Sequence, residues 1–104
     1  MQAIAHKKYR NKVSIIASIL STAKYGARKT RIMVRSNLNN EQFDDYMLLL
    51  EDRDLIHKNI DKRDMSCFFQ TTPRGFVFLR TYDRLAQLTE QSLREDFTEP
   101  PWSK

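Results

Sequence analysis

Leu55-Ile56-His57-Lys58-Asn59-Ile60, then Asp61-Lys62-Arg63-Asp64, then Met65-Ser66-Cys67-Phe68-Phe69-Gln70-Thr71, with Thr72-Pro73 directly behind, decide how this chain folds. The outer two runs are rich in β-branched and aromatic residues, and the charged stretch between them suits a turn. The reading is a β-hairpin with Lys62 and Arg63 at its tip. Thr72 can cap a helix and Pro73 can occupy its first position, where the missing N–H costs nothing. A helix therefore opens at once and runs through Tyr82, Leu85, Ala86 and Leu88 to about Asp96.

Upstream of the hairpin the apolar period changes from two to between three and four. Val13, Ile16, Ala17, Ile19, Leu20 and Ala23 predict an amphipathic helix over residues 11–23. Tyr25-Gly26 ends it. A short second helix runs from about Lys29 to Arg35, burying Ile32 and Met33, and Ser36-Asn37-Leu38 turns the chain with Leu38 beneath. Asn39 with Gln42 three residues on is a capping-box pattern, so a third helix starts near Asn40. Its apolar stripe is Phe43, Tyr46, Met47 and Leu50, and it yields at Asp54 to the first strand. The fold class is α+β, mostly helical. The segments are a basic arm (1–10), a domain of three helices and a hairpin (11–71), a long C-terminal helix (72–96) and a tail (97–104) containing Trp102.

At 104 residues, with 40% hydrophobic and 30% charged side chains and only two glycines, the chain has the profile of one helix-rich domain. Its longest apolar runs, Met47 to Leu50 and Phe76 to Leu79, are far short of the roughly 20 residues a spanning helix needs. No secretory signal is visible, and a single cysteine fits a reducing interior. The expected location is cytoplasmic and nucleoid-associated, away from membranes. Residues 1–36 hold nine basic side chains (Lys7, Lys8, Arg10, Lys12, Lys24, Arg28, Lys29, Arg31, Arg35) and no carboxylate. The rest sets nine basic against thirteen acidic residues, so the molecule is electrostatically polarised. A polyanion would meet the N-terminal side.

Catalytic and metal readings find little support. Cys67 reads as a core residue of a strand, and His6 and His57 are far apart with no carboxylate at ligand spacing. Asp44, Asp45, Glu51 and Asp52 fall on solvent-facing helical positions without a phosphate-binding glycine loop. Neither an enzyme nor a cofactor or metal is expected.

The order helix, short helix, turn, helix, hairpin, long helix is that of a winged helix. Particular residues add to the order: Ile15 to Leu20, Lys29-Thr30-Arg31-Ile32-Met33, Asn37-Leu38, Tyr46 to Leu50, Leu55-Ile56, and Thr72-Pro73-Arg74-Gly75 with Phe78-Leu79. Together, over roughly residues 11–88, the chain resembles the archaeal winged helix-turn-helix proteins that dimerise through a long C-terminal helix. The resemblance implies a homodimeric double-stranded DNA-binding protein, a transcriptional regulator or a chromosomal protein, whose last helices pair as an antiparallel coiled coil. Two features depart from that pattern: Asp44 and Asp45 put acid on the helix that would read bases, and Asp54 stands where glycine is usual.

The basic residues Arg28, Lys29, Arg31 and Arg35, with Lys7, Lys8 and the wing-tip pair Lys62 and Arg63, are the expected phosphate contacts. Asn39, Asn40 and Gln42 are the expected groove contacts. Phe78, Tyr82, Leu85 and Ala86, with Leu93 further along, lie near one face of the last helix and form the expected dimer seam, although Phe76, Phe78 and Leu79 also suit packing on their own domain. The competing class is a winged-helix protein-interaction module without DNA binding, in which the acidic third helix meets a basic partner.

Overall fold

The structure is a computed structural model that describes residues 11–98, with side chains as far as residue 89. Four helices and one hairpin follow in order: α1 (Lys12–Thr22), α2 (Lys29–Ser36), α3 (Asn40–Asp52), β1 (Ile56–Ile60), β2 (Cys67–Thr71) and α4 (Pro73–Thr98). The α+β, mostly helical architecture expected from the sequence is the one observed.

Each helix begins and ends for a local reason. Asn11 caps α1, its Oδ1 accepting from the Ser14 N–H at 2.8 Å. At the start of α3 the Asn39 Oδ1 accepts from the Gln42 N–H at 2.8 Å while Gln42 Oε1 accepts from the Asn39 N–H at 3.0 Å, a complete capping box. Asn37 leaves α2 in the left-handed region with φ 55°, and the Leu38 N–H returns to the Met33 carbonyl at 2.9 Å. Asp54 does the same after α3 with φ 59°. A short polar side chain is tolerated there, which is why this chain manages without glycine.

β1 and β2 pair antiparallel, from Ile56 opposite Thr71 to Ile60 opposite Cys67. Ala27 adds a single bridge to Phe69, with N–H to O distances of 2.9 and 2.8 Å in the two directions. That bridge ties the α1–α2 connection to the hairpin base. The core gathers Ile19 and Leu20 of α1 with Ala23 at its C-cap, Ile32 of α2, Leu38, then Phe43, Met47 and Leu50 of α3, Ile56 and Phe69 of the hairpin and Leu79 of α4. The rings of Phe43 and Phe69 meet edge to face, 5.5 Å apart.

One expectation fails here: Cys67 is exposed, not a core residue. Strand parity does put it on the same face as buried Phe69, but its side chain is left exposed. Cys67 instead borders a hollow of about 360 Å³ that it shares with Phe43, Met47, Lys29 and Lys58.

α4 is anchored by Thr72. Its hydroxyl donates to the Asp54 carbonyl at 2.7 Å and accepts from the Gly75 N–H at 2.9 Å, so one buried oxygen joins the end of α3 to the start of α4. A Thr72→Val substitution keeps the shape and leaves both backbone groups without a partner. We expect it to cost about 2 kcal/mol, the sum of a lost cap and a lost buried hydrogen bond. Urea denaturation measures this directly, and a loss below about 0.5 kcal/mol would show that water replaces the hydroxyl.

Candidate nucleic-acid interface

The cations of α2 divide into two sets by their partners. Lys29, Arg31 and Arg35 are exposed and make no ion pair among the described residues. Lys29 also reaches over the Phe43 ring, 5.3 Å from its centroid, so its stem lies against the core edge while its charge stays outside. Arg28 belongs to the other set. It is the residue before α2, it does not cap the helix with its side chain, and its guanidinium turns to the wing.

There Arg28 Nη2 meets Asp61 Oδ2 at 3.1 Å and Asp64 Oδ2 at 3.8 Å, and Nη1 donates to the Ser66 hydroxyl. Asp61 also takes Arg63, which donates from its backbone N–H at 3.0 Å, from Nε at 3.2 Å and from Nη2 at 3.1 Å. Two of the cations expected to hold phosphate thus share one carboxylate. Lys62, the other wing-tip cation, is exposed without an ion pair among the described residues, and Lys58 on β1 is exposed in the same way. The hydrogen bonds from the Arg63 side chain and backbone, helped by the charge of Arg28, hold the Asp61 carboxyl below the ordinary carboxylate range.

A depressed pKa of this kind stabilises the folded wing above the unfolded-state pKa and is lost as the pH falls through the folded value. The strap should therefore be intact at neutral pH and open only in strong acid. Following the side-chain carboxyl of Asp61 by NMR through an acid titration tests this. A midpoint at or above that of an unperturbed aspartate would mean that the strap is not formed.

The residues expected to face the groove sit at the first turn of α3. Asn39 and Gln42 are exposed but are tied to each other through the capping box, which leaves each with its amide NH2 to offer; Asn40 is exposed as well. The outward surface of α3 beyond them carries Glu41, Asp44, Asp45, Glu51 and Asp52, all exposed, around Leu48, which is 72% exposed. This face repels phosphate over most of its length.

On α4 the expected seam residues behave differently from one another. Phe78 and Tyr82 are half-buried against their own core and Ala86 is half-buried, whereas Leu85 is 60% exposed. The side chain of Leu93 lies outside the described residues, as do Lys7, Lys8 and Trp102. Val77 and Leu88, not anticipated from sequence, are exposed at 50% and 67% and share the outer side of the helix with Leu85. An i, i+8, i+11 spacing would have shown this stripe. Asp61 was missed too, although an aspartate two residues before a backbone N–H in a turn is a familiar hydrogen-bonding arrangement.

This layout of helices, hairpin and connecting bridge defines a winged helix-turn-helix domain, and the chain belongs to that family, whose profile matches residues 9–90. Among solved structures the chain resembles Sso10a-2, a DNA-binding protein from Sulfolobus solfataricus, with a TM-score of 0.74 at 15% identity over 91% of this chain and 100% of that one. MepR, a transcription regulator of the Staphylococcus aureus multidrug efflux pump MepA, superposes with a TM-score of 0.70 at 14% identity, over 91% of this chain and 70% of that one. In the MepR–DNA complex the figures are 0.65, 16%, 88% and 67%. At these identities the likeness is one of fold. No curated protein matches the chain in sequence.

Proposed function

We propose that the chain binds double-stranded DNA, using Lys29, Arg31 and Arg35 of α2 together with Lys62 of the wing as phosphate contacts, and Arg28 and Arg63 through the donors that Asp61 leaves free. The observation that carries this reading is the set of exposed cations on α2 that make no ion pair among the described residues, at the end of a 36-residue stretch without a single carboxylate. Asn39, Asn40 and Gln42 are the proposed groove contacts at the first turn of α3, where Glu41 is the one acid among them. Such a protein positions itself mainly by charge, which suits a regulator or a chromosomal protein. The names carried by Sso10a-2, a DNA-binding protein, and MepR, a transcription regulator, support DNA binding.

Two copies are proposed to join through α4. At 26 residues α4 is about 39 Å long, and Leu85 and Leu88 stand exposed on it. A second reading, a protein-interaction module, is favoured by the acidic outer face of α3.

Fluorescence anisotropy against a random-sequence duplex tests the proposal. With six phosphate contacts the affinity should fall by about 10³ between 50 and 200 mM salt. No salt-dependent binding at the lower concentration would remove the DNA reading and leave the protein partner.

A further inference from the structure

A hollow of about 450 Å³ opens between the α1–α2 connection and the wing, on the side away from α3. Its walls include three guanidinium groups, Arg28, Arg31 and Arg63, against one carboxylate, Asp61, and two aromatic rings, Tyr25 and Phe68. Cavities of this size are in the range that holds small ligands.

The polar side of the hollow is under-used. Arg31 makes no hydrogen bond or ion pair among the described residues. Arg28 uses Nη1 and Nη2, and Arg63 uses Nε and Nη2, on Ser66, Asp61 and Asp64. The Nε of Arg28 and the Nη1 of Arg63 remain as donors, since each guanidinium has five N–H groups. The lining sets three guanidinium groups against the single carboxylate of Asp61, with Asp64 at 3.8 Å from Arg28 just outside it, so positive charge remains in excess.

The apolar side is unusual for a surface of this charge. Tyr25 is 86% exposed, its ring centroid 6.5 Å from that of Phe76. Phe68 is half-buried and points to the same hollow, its ring close to Gly26, where a Cβ would come within 3.4 Å. Gly26, with φ +101°, lets the chain turn between the two rings. A flat ring placed here has aromatic surface beside it, and an anionic group attached to that ring has guanidinium donors within reach.

We propose that this hollow binds a nucleoside monophosphate unit, its base against Tyr25 and Phe68 and its phosphate on Arg31 with the spare donors of Arg28 and Arg63. The unit is either a free nucleotide or one nucleotide of a single strand. An acidic peptide would satisfy the arginines and leave both rings bare. Duplex binding by α2 and the wing draws on the same arginines but not on the rings, because a paired base cannot reach them.

Calorimetric titration of the full chain with adenosine 5′-monophosphate, adenosine and inorganic phosphate tests the site. The nucleotide should bind at least about tenfold more tightly than either part, since charge-assisted hydrogen bonds and stacking each contribute about that factor or more. Tyr25→Ala, at an exposed position that does not disturb the core, should weaken the nucleotide about tenfold and leave the random duplex unchanged. Arg31→Ala should weaken it by a similar factor. Displacement of the nucleotide by single-stranded oligo(dA) would identify the strand as the source, and failure to displace it would identify the free nucleotide. A nucleotide bound no better than inorganic phosphate, or unaffected by Tyr25→Ala, overturns the proposal. Nucleotide binding without duplex binding would keep this site and remove the duplex reading; the reverse result would do the opposite.

Discussion

Gly75→Ala should lower the stability of this domain by about 2 kcal/mol and its melting temperature by about 10 °C. Gly75 is buried in the first turn of α4, where that helix presses on the entry to the hairpin. A Cβ there would lie 2.4 Å from the Leu55 carbonyl oxygen and 2.5 Å from the Thr71 Cγ2. Neither atom can move cheaply, because Leu55 O accepts the Thr72 N–H at 3.1 Å and Thr71 is held by its hydroxyl to the Leu20 carbonyl at 2.7 Å. Overpacking against such a wall costs about 3 kcal/mol, while alanine in place of glycine gains about 1 kcal/mol of helix propensity, and the loss prevails. Differential scanning calorimetry of the two proteins decides it. An unchanged or raised melting temperature would mean that α4 stands further from the hairpin than its hydrogen bonds require.

The second large effect is on binding. Changing Arg28, Lys29, Arg31 and Arg35 together to alanine should reduce the slope of log affinity against log salt by about four, one for each cation removed, and abolish measurable duplex binding at moderate salt. Arg28 has a double part in this variant, since losing it also unstraps the wing from α2. A triple variant that keeps Arg28 separates the two: a slope reduced by about three with the wing intact assigns the effect to charge. If both variants bind duplex like the parent, α2 is not the phosphate-contacting surface, and Lys58 and Lys62 become the first residues to test.

Local patterns carried most of this fold. The Asn39–Gln42 box, the Thr72-Pro73 start and the change of apolar period each act over three or four residues, and each appears where the sequence reading puts it. Asp54 is a case in which the conformation, left-handed at a helix end, mattered more than the residue usually chosen for it. The site was less legible because its features depend on contacts between distant segments. Nothing near Arg28 in sequence announces a carboxylate 33 residues on, and so a cation counted as free is in fact shared with Asp61. Cys67 has the parity of a core residue, yet it borders an open hollow beside α3 and stays exposed, which depends on how hairpin and helix are set against each other. The outer stripe of α4 was obscured in the same way, because Phe78 and Tyr82 offer large aromatic rings for a seam yet are already packed against their own domain.

The wing is fastened twice, by backbone at Ala27 and Phe69 near its base and by side chains at Arg28 and Asp61 near its tip. A beam held at two points cannot swing as an arm held at one can. Its tip cations arrive at a surface already in place, so contact there pays little of the ordering entropy that a loose loop must give up. Stiffness of this kind also works as a gauge: the wing can meet only a surface whose curvature matches the fixed distance between Lys62 and α2, and it would touch a flatter or more sharply bent one at a single end.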